Sequence, residues 1–140
     1  MRGKSSTDSV RTPKAILLAV KREFGAFYDP AKFNPKFKAD KDKDGLNTPW
    51  KPVNFVNPPY SSVKPWFVKA HAEWRQGKTI IMLVKLSVLG TIYAKKYARG
   101  AEIRIFAEKI SFPGYKRKAG FTNVLIIWRA KKRSTKWSII

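Results

Sequence analysis

The stretch Val53-Asn-Phe-Val-Asn-Pro-Pro-Tyr60 joins a short apolar run to a rigid polar turn. Its first four residues predict a buried strand, which the proline pair ends because proline cannot donate a hydrogen bond to a strand ladder. Ser61 or Ser62 can then cap a helix that runs from about residue 63 to residue 76, with Gly77 as its stop. A strand that leads directly into a helix is the repeating unit of α/β proteins.

The same alternation continues in both directions along the chain. Thr12-Pro13 predicts the start of an amphipathic helix that ends at Phe24, with the Thr12 hydroxyl as its cap and Gly25 as its stop. Strands are also predicted over residues 26–28, 79–84, 102–106, 109–112 and 122–128, with a short basic helix over residues 90–99. The pattern predicts an α/β fold with helices on the faces of a largely parallel sheet that has an antiparallel hairpin at its edge.

Length and composition predict one domain with an extension at each end. The chain has 140 residues, of which 44% are hydrophobic, enough for a single core. We expect residues 1–10 to be a flexible polar arm, residues 11–128 to be the folded domain and residues 129–140 to be a basic tail. A solvated or disordered tail is favoured, with a phosphate-binding arm or docking peptide as the alternative. The lysine- and aspartate-rich residues 32–52 predict a loop with one helical turn.

The charge favours an anionic partner. Thirty Lys and Arg residues against nine Asp and Glu give a net charge of +21, which suits nucleic acid, although an acidic protein or an anionic membrane surface would also fit. No apolar run approaches the roughly 20 residues of a membrane span, so we expect a soluble protein inside a cell. With no Cys and one His, cysteine and zinc chemistries are excluded and no metal is expected.

Several short motifs, taken in order, resemble the phage-type DNA N6-adenine methyltransferases, a compact family that depends on S-adenosylmethionine. The resemblance runs from about Arg11 to Trp128 and implies a truncated, Rossmann-like methyltransferase sheet. The matching motifs are Thr12-Pro13, Phe24-Gly-Ala-Phe-Tyr-Asp-Pro-Ala31, Asp44-Gly-Leu46 with Trp50, Asn57-Pro-Pro-Tyr60, Trp66, Met82-Leu-Val84, and Ile110-Ser-Phe112 with Phe121.

The resemblance implies that Asn57, Pro58, Pro59 and Tyr60 bind the target adenine. The residue types suit that task, because the Asn57 side-chain carbonyl and the Pro58 backbone carbonyl can each accept one hydrogen of the base amine. The Tyr60 ring offers a face on which a base rotated out of the helix can stack. An ordinary turn between strand and helix is the alternative, since Asn and Pro dominate turns.

The resemblance also implies a site for the methyl donor. It places Thr12 and Pro13 near the methionine part of S-adenosylmethionine, Asp29 and Pro30 beside it, and Asp44 near its adenine. The chain departs from the family in three places. No Gly-x-Gly follows the first strand, Glu108-Lys109 stands where the family has a Gly-Arg segment, and residues 85–90 replace the family's Pro-Ala-Arg-Thr-like stretch.

Two hypotheses follow for function. The first is an enzyme that methylates adenine in DNA, located in the cytoplasm or nucleus of a host cell. The second is a catalytically silent viral protein that serves as a nucleic-acid-binding component or a basic minor capsid component of the virion, with viral structural proteins as partners. In both cases two basic clusters are candidates for contacts with DNA phosphates, with solvated surface as the alternative: Lys95, Lys96, Arg99, Lys116, Arg117 and Lys118.

Overall fold

A computed structural model of the chain describes residues 10–32, 44–130 and 136–140. Its helices are α1 (Lys14–Phe24), α2 (Asp44–Asn47), α3 (Val63–Arg75) and α4 (Ile92–Tyr97), and its strands are β1 (Val53–Val56), β2 (Thr79–Lys85), β3 (Glu102–Ile105), β4 (Asn123–Trp128) and β5 (Lys136–Ile139). Short 3₁₀ turns at Tyr60–Ser62 and Leu86–Gly90 precede α3 and α4. Most of the expected arm, residues 33–43 of the loop and the first part of the tail lie outside the described residues.

The five strands form one mixed sheet in the order β1-β2-β4-β3-β5. The pairs β1–β2 and β3–β5 are parallel, whereas β4 is antiparallel to both β2 and β3. The α/β prediction is confirmed, and four strands share one direction. The antiparallel pairing lies at the centre of the sheet, whereas the sequence predicts it at an edge. All six residues of β4 are buried, which suits a strand covered on both faces.

Two apolar layers cover the sheet. Side chains of β2 alternate between them, as the period of two in a strand requires. On one face Ile80, Met82 and Val84 pack with α3 and α4, and on the other Ile81 and Leu83 pack with α1 and with residues 106–121.

Helix α1 begins differently from its prediction. Pro13 occupies the N-cap position and no side chain caps the helix, while the Pro13 carbonyl accepts hydrogen bonds from Ile16 and Leu17. The Thr12 hydroxyl accepts a hydrogen bond from Asn57 instead. The predicted stop is confirmed, because Gly25 has a φ of 84°, a conformation that glycine adopts without strain. Among the described residues, no helix has the length and apolar character needed to cross a bilayer.

Three other predictions need correction. The strand expected over residues 26–28 is reduced to a single parallel bridge between Tyr28 and Asn54. Residues 109–112 form no strand, because Ile110 and Phe112 are buried against the face of the sheet without pairing to it. The end of the tail is ordered, since β5 pairs with β3 from Glu102 opposite Lys136 to Ile105 opposite Ile139.

A network of four charges ties α1 to the sheet. Glu23 pairs with Arg104 at 2.6 Å and with Arg129 at 2.7 Å, and Glu102 pairs with the same two arginines at 2.7 and 3.0 Å. The Arg129 guanidinium also lies 4.7 Å from the centre of the Phe24 ring. These contacts hold the pKa of Glu23 near 2, with the hydrogen bond from Arg104 as the largest cause. The network fixes the end of α1 over strands β3 and β4.

Candidate active site

The residues that follow or end the strands lie together at one end of the sheet. Because β1, β2, β3 and β5 run in the same direction, their carboxyl ends meet there with the amino end of β4. Asn57 follows β1, Lys85 ends β2, and Asn123, which begins β4, lies opposite Lys85. Open α/β sheets bind their ligands at this end, beyond the carboxyl ends of the parallel strands.

The Asn57 side chain is held in a defined orientation. Its nitrogen donates to the Val10 carbonyl at 3.1 Å and to the Thr12 hydroxyl at 3.0 Å. Since a carbonyl can only accept, the amide nitrogen must face Val10, and this fixes the position of the amide oxygen. That oxygen is buried and has no hydrogen-bond donor among the described residues. A buried unpaired acceptor costs about 1–3 kcal/mol, so it marks a place where a donor is missing.

The Tyr60 ring lies in an aromatic and cationic cluster. Phe121 packs edge-to-face against it with ring centres 5.6 Å apart. The Lys85 ammonium lies 4.7 Å from the centre of the Tyr60 ring and 4.4 Å from that of Phe121. Burial raises the pKa of the Tyr60 hydroxyl to about 12, and the Asn123 side chain opposes this rise. Within the described structure, neither this hydroxyl nor the Asn123 oxygen makes a hydrogen bond of standard geometry.

Tyr60 also lines two cavities of different character. A cavity of about 420 Å³ is apolar inside, where Val10, Phe112 and Phe121 contribute, and basic at its rim, where Lys116, Arg117 and Lys118 lie. A cavity of about 580 Å³ is rich in hydroxyl groups and lysines, and its lining includes Ser61, Ser62, Lys64, Lys85, Ser87, Thr91 and Tyr93. The apolar cavity suits a flat ring, whereas the polar cavity suits an anion.

A half-buried carboxyl, that of Asp29, lies after the Tyr28 bridge. Asp29 accepts a hydrogen bond from the Ala31 backbone at 3.0 Å, yet burial raises its pKa to about 6, against the opposing effects of that bond and of the Lys32 charge. Pro30 contacts α2 closely, because a Cβ atom added to Gly45 would lie 2.0 Å from the Pro30 carbonyl oxygen. The structure therefore brings the Asp29-Pro30 segment against the start of α2. The side chain of Asp44 lies outside the described part of the chain.

The two basic clusters line separate cavities. Lys116, Arg117 and Lys118 surround the apolar cavity beside Tyr60, and Lys118 also pairs with Glu108 at 3.3 Å on the surface. Lys95 and Arg99 line a third cavity, of about 190 Å³, together with Trp137. The ammonium of Lys96 lies 5.2 Å from the centre of the Tyr97 ring. Of the two clusters, the one at residues 116–118 adjoins Asn57-Pro-Pro-Tyr60.

Comparison with known proteins identifies the family. The family model described as DNA N-6-adenine-methyltransferase (Dam) matches residues 2–138. The chain belongs to the Dam family. A search of the curated proteins found no significant match. Among solved structures, a predicted O-methyltransferase from Agrobacterium tumefaciens is similar, with 21% identity and a TM-score of 0.40 over 74% of this Dam-family chain and 47% of that protein. The chain thus spans about half the length of that structure.

Sequence reasoning missed three residues of the candidate site in this Dam-family chain. The sequence predicts that Val10 belongs to the flexible arm, but its carbonyl orients Asn57. In the sequence, Lys85 differs from the family pattern without a predicted role, and Asn123 belongs to a predicted apolar strand. The rule that placed Asn57 at a strand end would have found Lys85 also, because both lie where a parallel strand ends. Val10 carries no comparable signal in the sequence.

The His71 side chain packs against aromatic rings. Its ring packs edge-on against Trp74 and Tyr97, with ring centres 5.6 and 5.1 Å apart, and burial lowers its pKa. This agrees with a packed residue more than with a general base. Over residues 10–32, 44–130 and 136–140, no group of three or more His, Asp or Glu side chains is arranged to hold a metal ion.

Proposed function

We propose that this chain transfers a methyl group from S-adenosylmethionine to the N6 amine of an adenine rotated out of a DNA helix. The observation that carries the proposal is the Asn57 amide. Its nitrogen is fully engaged with Val10 and Thr12, and its oxygen is left as a buried acceptor without a donor among the described residues. An exocyclic amine is a donor of the kind that this oxygen lacks.

The tetrapeptide would orient the amine through two acceptors. Asn57 would accept one hydrogen, and the carbonyl of Pro58 on the same rigid turn would accept the other. With both hydrogens engaged, the nitrogen lone pair would face the methyl donor. The N–C bond would form as the S–C bond breaks, S-adenosylhomocysteine would leave, and the amine would lose one proton to solvent. Since the Asn57 oxygen is buried, the amine reaches it only if a segment that covers this oxygen shifts.

The apolar cavity beside Tyr60 supports a base as the ligand. Phe112 and Phe121 contribute aromatic surface there, and stacking on such rings is worth about 1–3 kcal/mol per base. The basic rim at residues 116–118 would contact the flanking phosphates. An apolar slot with a cationic rim fits a nucleotide better than it fits a neutral metabolite.

The surroundings of Asp29 fit a cationic methyl donor. When bound, S-adenosylmethionine supplies an electrophilic methyl group and carries positive charge. Burial disfavours the Asp29 carboxylate, and a cation beside it would offset that cost. The family and this half-buried carboxyl together favour S-adenosylmethionine, with Asp29 and Pro30 as its candidate contacts on this chain.

The test compares Asn57→Ala with the wild type in two assays. We expect transfer of labelled methyl groups to adenine-containing DNA to fall about 100-fold or more, as when one oriented catalytic hydrogen bond is lost. Binding of S-adenosylmethionine, measured by calorimetry, should change only a few-fold. Gln76→Ala, which removes an exposed amide at the far end of α3, is the matched control and should keep full activity.

Two outcomes would contradict the proposal. One is methyl transfer by Asn57→Ala at the wild-type rate. The other is a wild-type protein that neither binds S-adenosylmethionine nor labels DNA. If such a protein still bound DNA with a steep dependence on salt, the silent nucleic-acid-binding alternative would replace the enzyme.

A further inference from the structure

Trp137 differs from the other tryptophans of the chain. It lies on β5 with 57% of its surface exposed, whereas Trp50, Trp66 and Trp128 are at most 3% exposed. Trp74 is half-buried and donates its indole hydrogen to the Arg129 carbonyl at 2.7 Å. An exposed tryptophan on a folded surface is a typical contact residue, because it offers a large rigid face at a small cost in entropy.

The cavity beside Trp137 combines an apolar floor with positive charge. Ala94, Ala98 and Ile103 contribute the floor, while Lys95 and Arg99 stand at its sides. No acidic residue lines it in the described part of the chain. Its volume of about 190 Å³ equals that of about six water molecules, at about 30 Å³ each, which is room for one flat ring.

We infer that this cavity binds one unpaired base of a single-stranded nucleic acid. The base would stack on the Trp137 ring, and Lys95 and Arg99 would contact the adjoining phosphates. A second copy of the chain is disfavoured as the occupant, because each copy carries a net charge of +21. An acidic peptide would satisfy the two cations, but its carboxylates would leave the ring face and the apolar floor unused.

The inference does not rest on methyl transfer. None of the residues that line this cavity lines either cavity beside Tyr60. A strand without adenine should therefore bind here even if the proposed enzyme activity is absent. The two proposals can fail separately.

The test uses an oligothymidylate of about eight nucleotides with the full-length protein. We expect binding to quench tryptophan emission, since Trp137 is the most exposed tryptophan in the described structure. Trp137→Phe should abolish the quenching yet keep binding within a few-fold by fluorescence anisotropy. Trp137→Ala should weaken binding by about 5-fold to 150-fold. Ile92→Ala is the control, because it removes an exposed apolar side chain of α4 that does not line the cavity.

The charge contribution is tested separately. The double variant Lys95→Gln/Arg99→Gln should reduce the slope of log affinity against log salt by about 1.4, the value for two phosphate contacts on a single strand. Wild-type binding without a change in tryptophan emission would overturn the inference. A Trp137→Ala variant that binds the oligothymidylate as tightly as the wild type would also overturn the inference, whether or not the variant alters self-association in sedimentation. If Trp137→Ala fails to fold by circular dichroism, Trp137→Phe and the double variant decide the outcome.

Discussion

Replacing Asp29 by Asn should stabilise the protein at neutral pH. The carboxyl has a pKa raised from 3.8 to about 6, chiefly by burial. That difference of about 2.2, at about 1.36 kcal/mol for each pKa unit, corresponds to about 3 kcal/mol. We expect a gain of about 2 to 3 kcal/mol at pH 7, because the carboxyl keeps partial contact with solvent. An Asn side chain can still accept the hydrogen bond from Ala31.

The sign of the pH dependence follows from the direction of the shift. The folded chain binds the Asp29 proton more tightly than the unfolded chain does, so this group contributes its stability below about pH 3.8 and loses it as the pH rises through about 6. Urea unfolding between about pH 4 and about pH 8 would measure the difference between Asp29→Asn and the wild type. The difference should be near zero at the acidic end and should grow toward neutral pH.

Glu108→Gln provides the control, since the Glu108 side chain is 82% exposed and its replacement should leave the unfolding free energy nearly unchanged at every pH. A difference between Asp29→Asn and the wild type that stays constant with pH would refute the reasoning. A variant that is less stable than the wild type at pH 7 would do so too. A confirmed gain would mean that the natural carboxylate is retained at the expense of stability, as is common at functional sites.

Two further substitutions test the packing and the charges around the site. Gly45→Ala should lower the unfolding free energy by about 2 kcal/mol or more, because the new methyl group would lie 2.0 Å from the Pro30 carbonyl oxygen, whereas Gly90→Ala, which meets no atom within 4 Å, should stay within about 0.5 kcal/mol in the same denaturant titration. Equal effects of the two would contradict the close contact. Glu23→Gln should cost about 1 kcal/mol at neutral pH, since Arg104 and Arg129 lose a shared carboxylate. Because the pKa of Glu23 is lowered from 4.5 to about 2, this contribution is complete above about pH 4.5 and is lost as the pH falls through about 2. A cost that does not shrink in acid would argue against the ion pair.

Local sequence patterns predicted most of the helices and strands. Helix α1, helix α3 and strand β2 lie within one or two residues of their predicted bounds, because each has a continuous apolar period and a glycine or proline near its ends. The same patterns misassigned residues 109–112. Alternation of apolar and polar residues reports burial on one side, and Ile110 and Phe112 are indeed buried, but it does not report whether the backbone finds a partner strand.

The sequence patterns did not predict which distant segments pair in the sheet. The positions of β4 between β2 and β3 and of β5 beside β3 depend on contacts between residues far apart in the chain. The tail residues Lys136–Ile139 are too few to predict a strand alone, and the basic run before them favours a solvated tail. For the candidate site, residue types identified Asn57 and Tyr60 as chemical groups. The hydrogen bonds from Asn57 to Val10 and Thr12 are a property of the fold.

The central position of β4 constrains how the chain can be assembled during synthesis. In the described sheet, β4 is the strand that connects the β1–β2 pair to the β3–β5 pair, and it begins at Asn123. A nascent chain that has emerged only as far as residue 120 holds the β1–β2 pair and an unpaired β3, both with exposed edges, because β4 and β5 follow later in the chain. Such intermediates attract neighbouring chains through their unpaired edges. We therefore expect truncations before residue 123 to accumulate as aggregates, and cooperative folding to wait until β4 and β5 have left the ribosome.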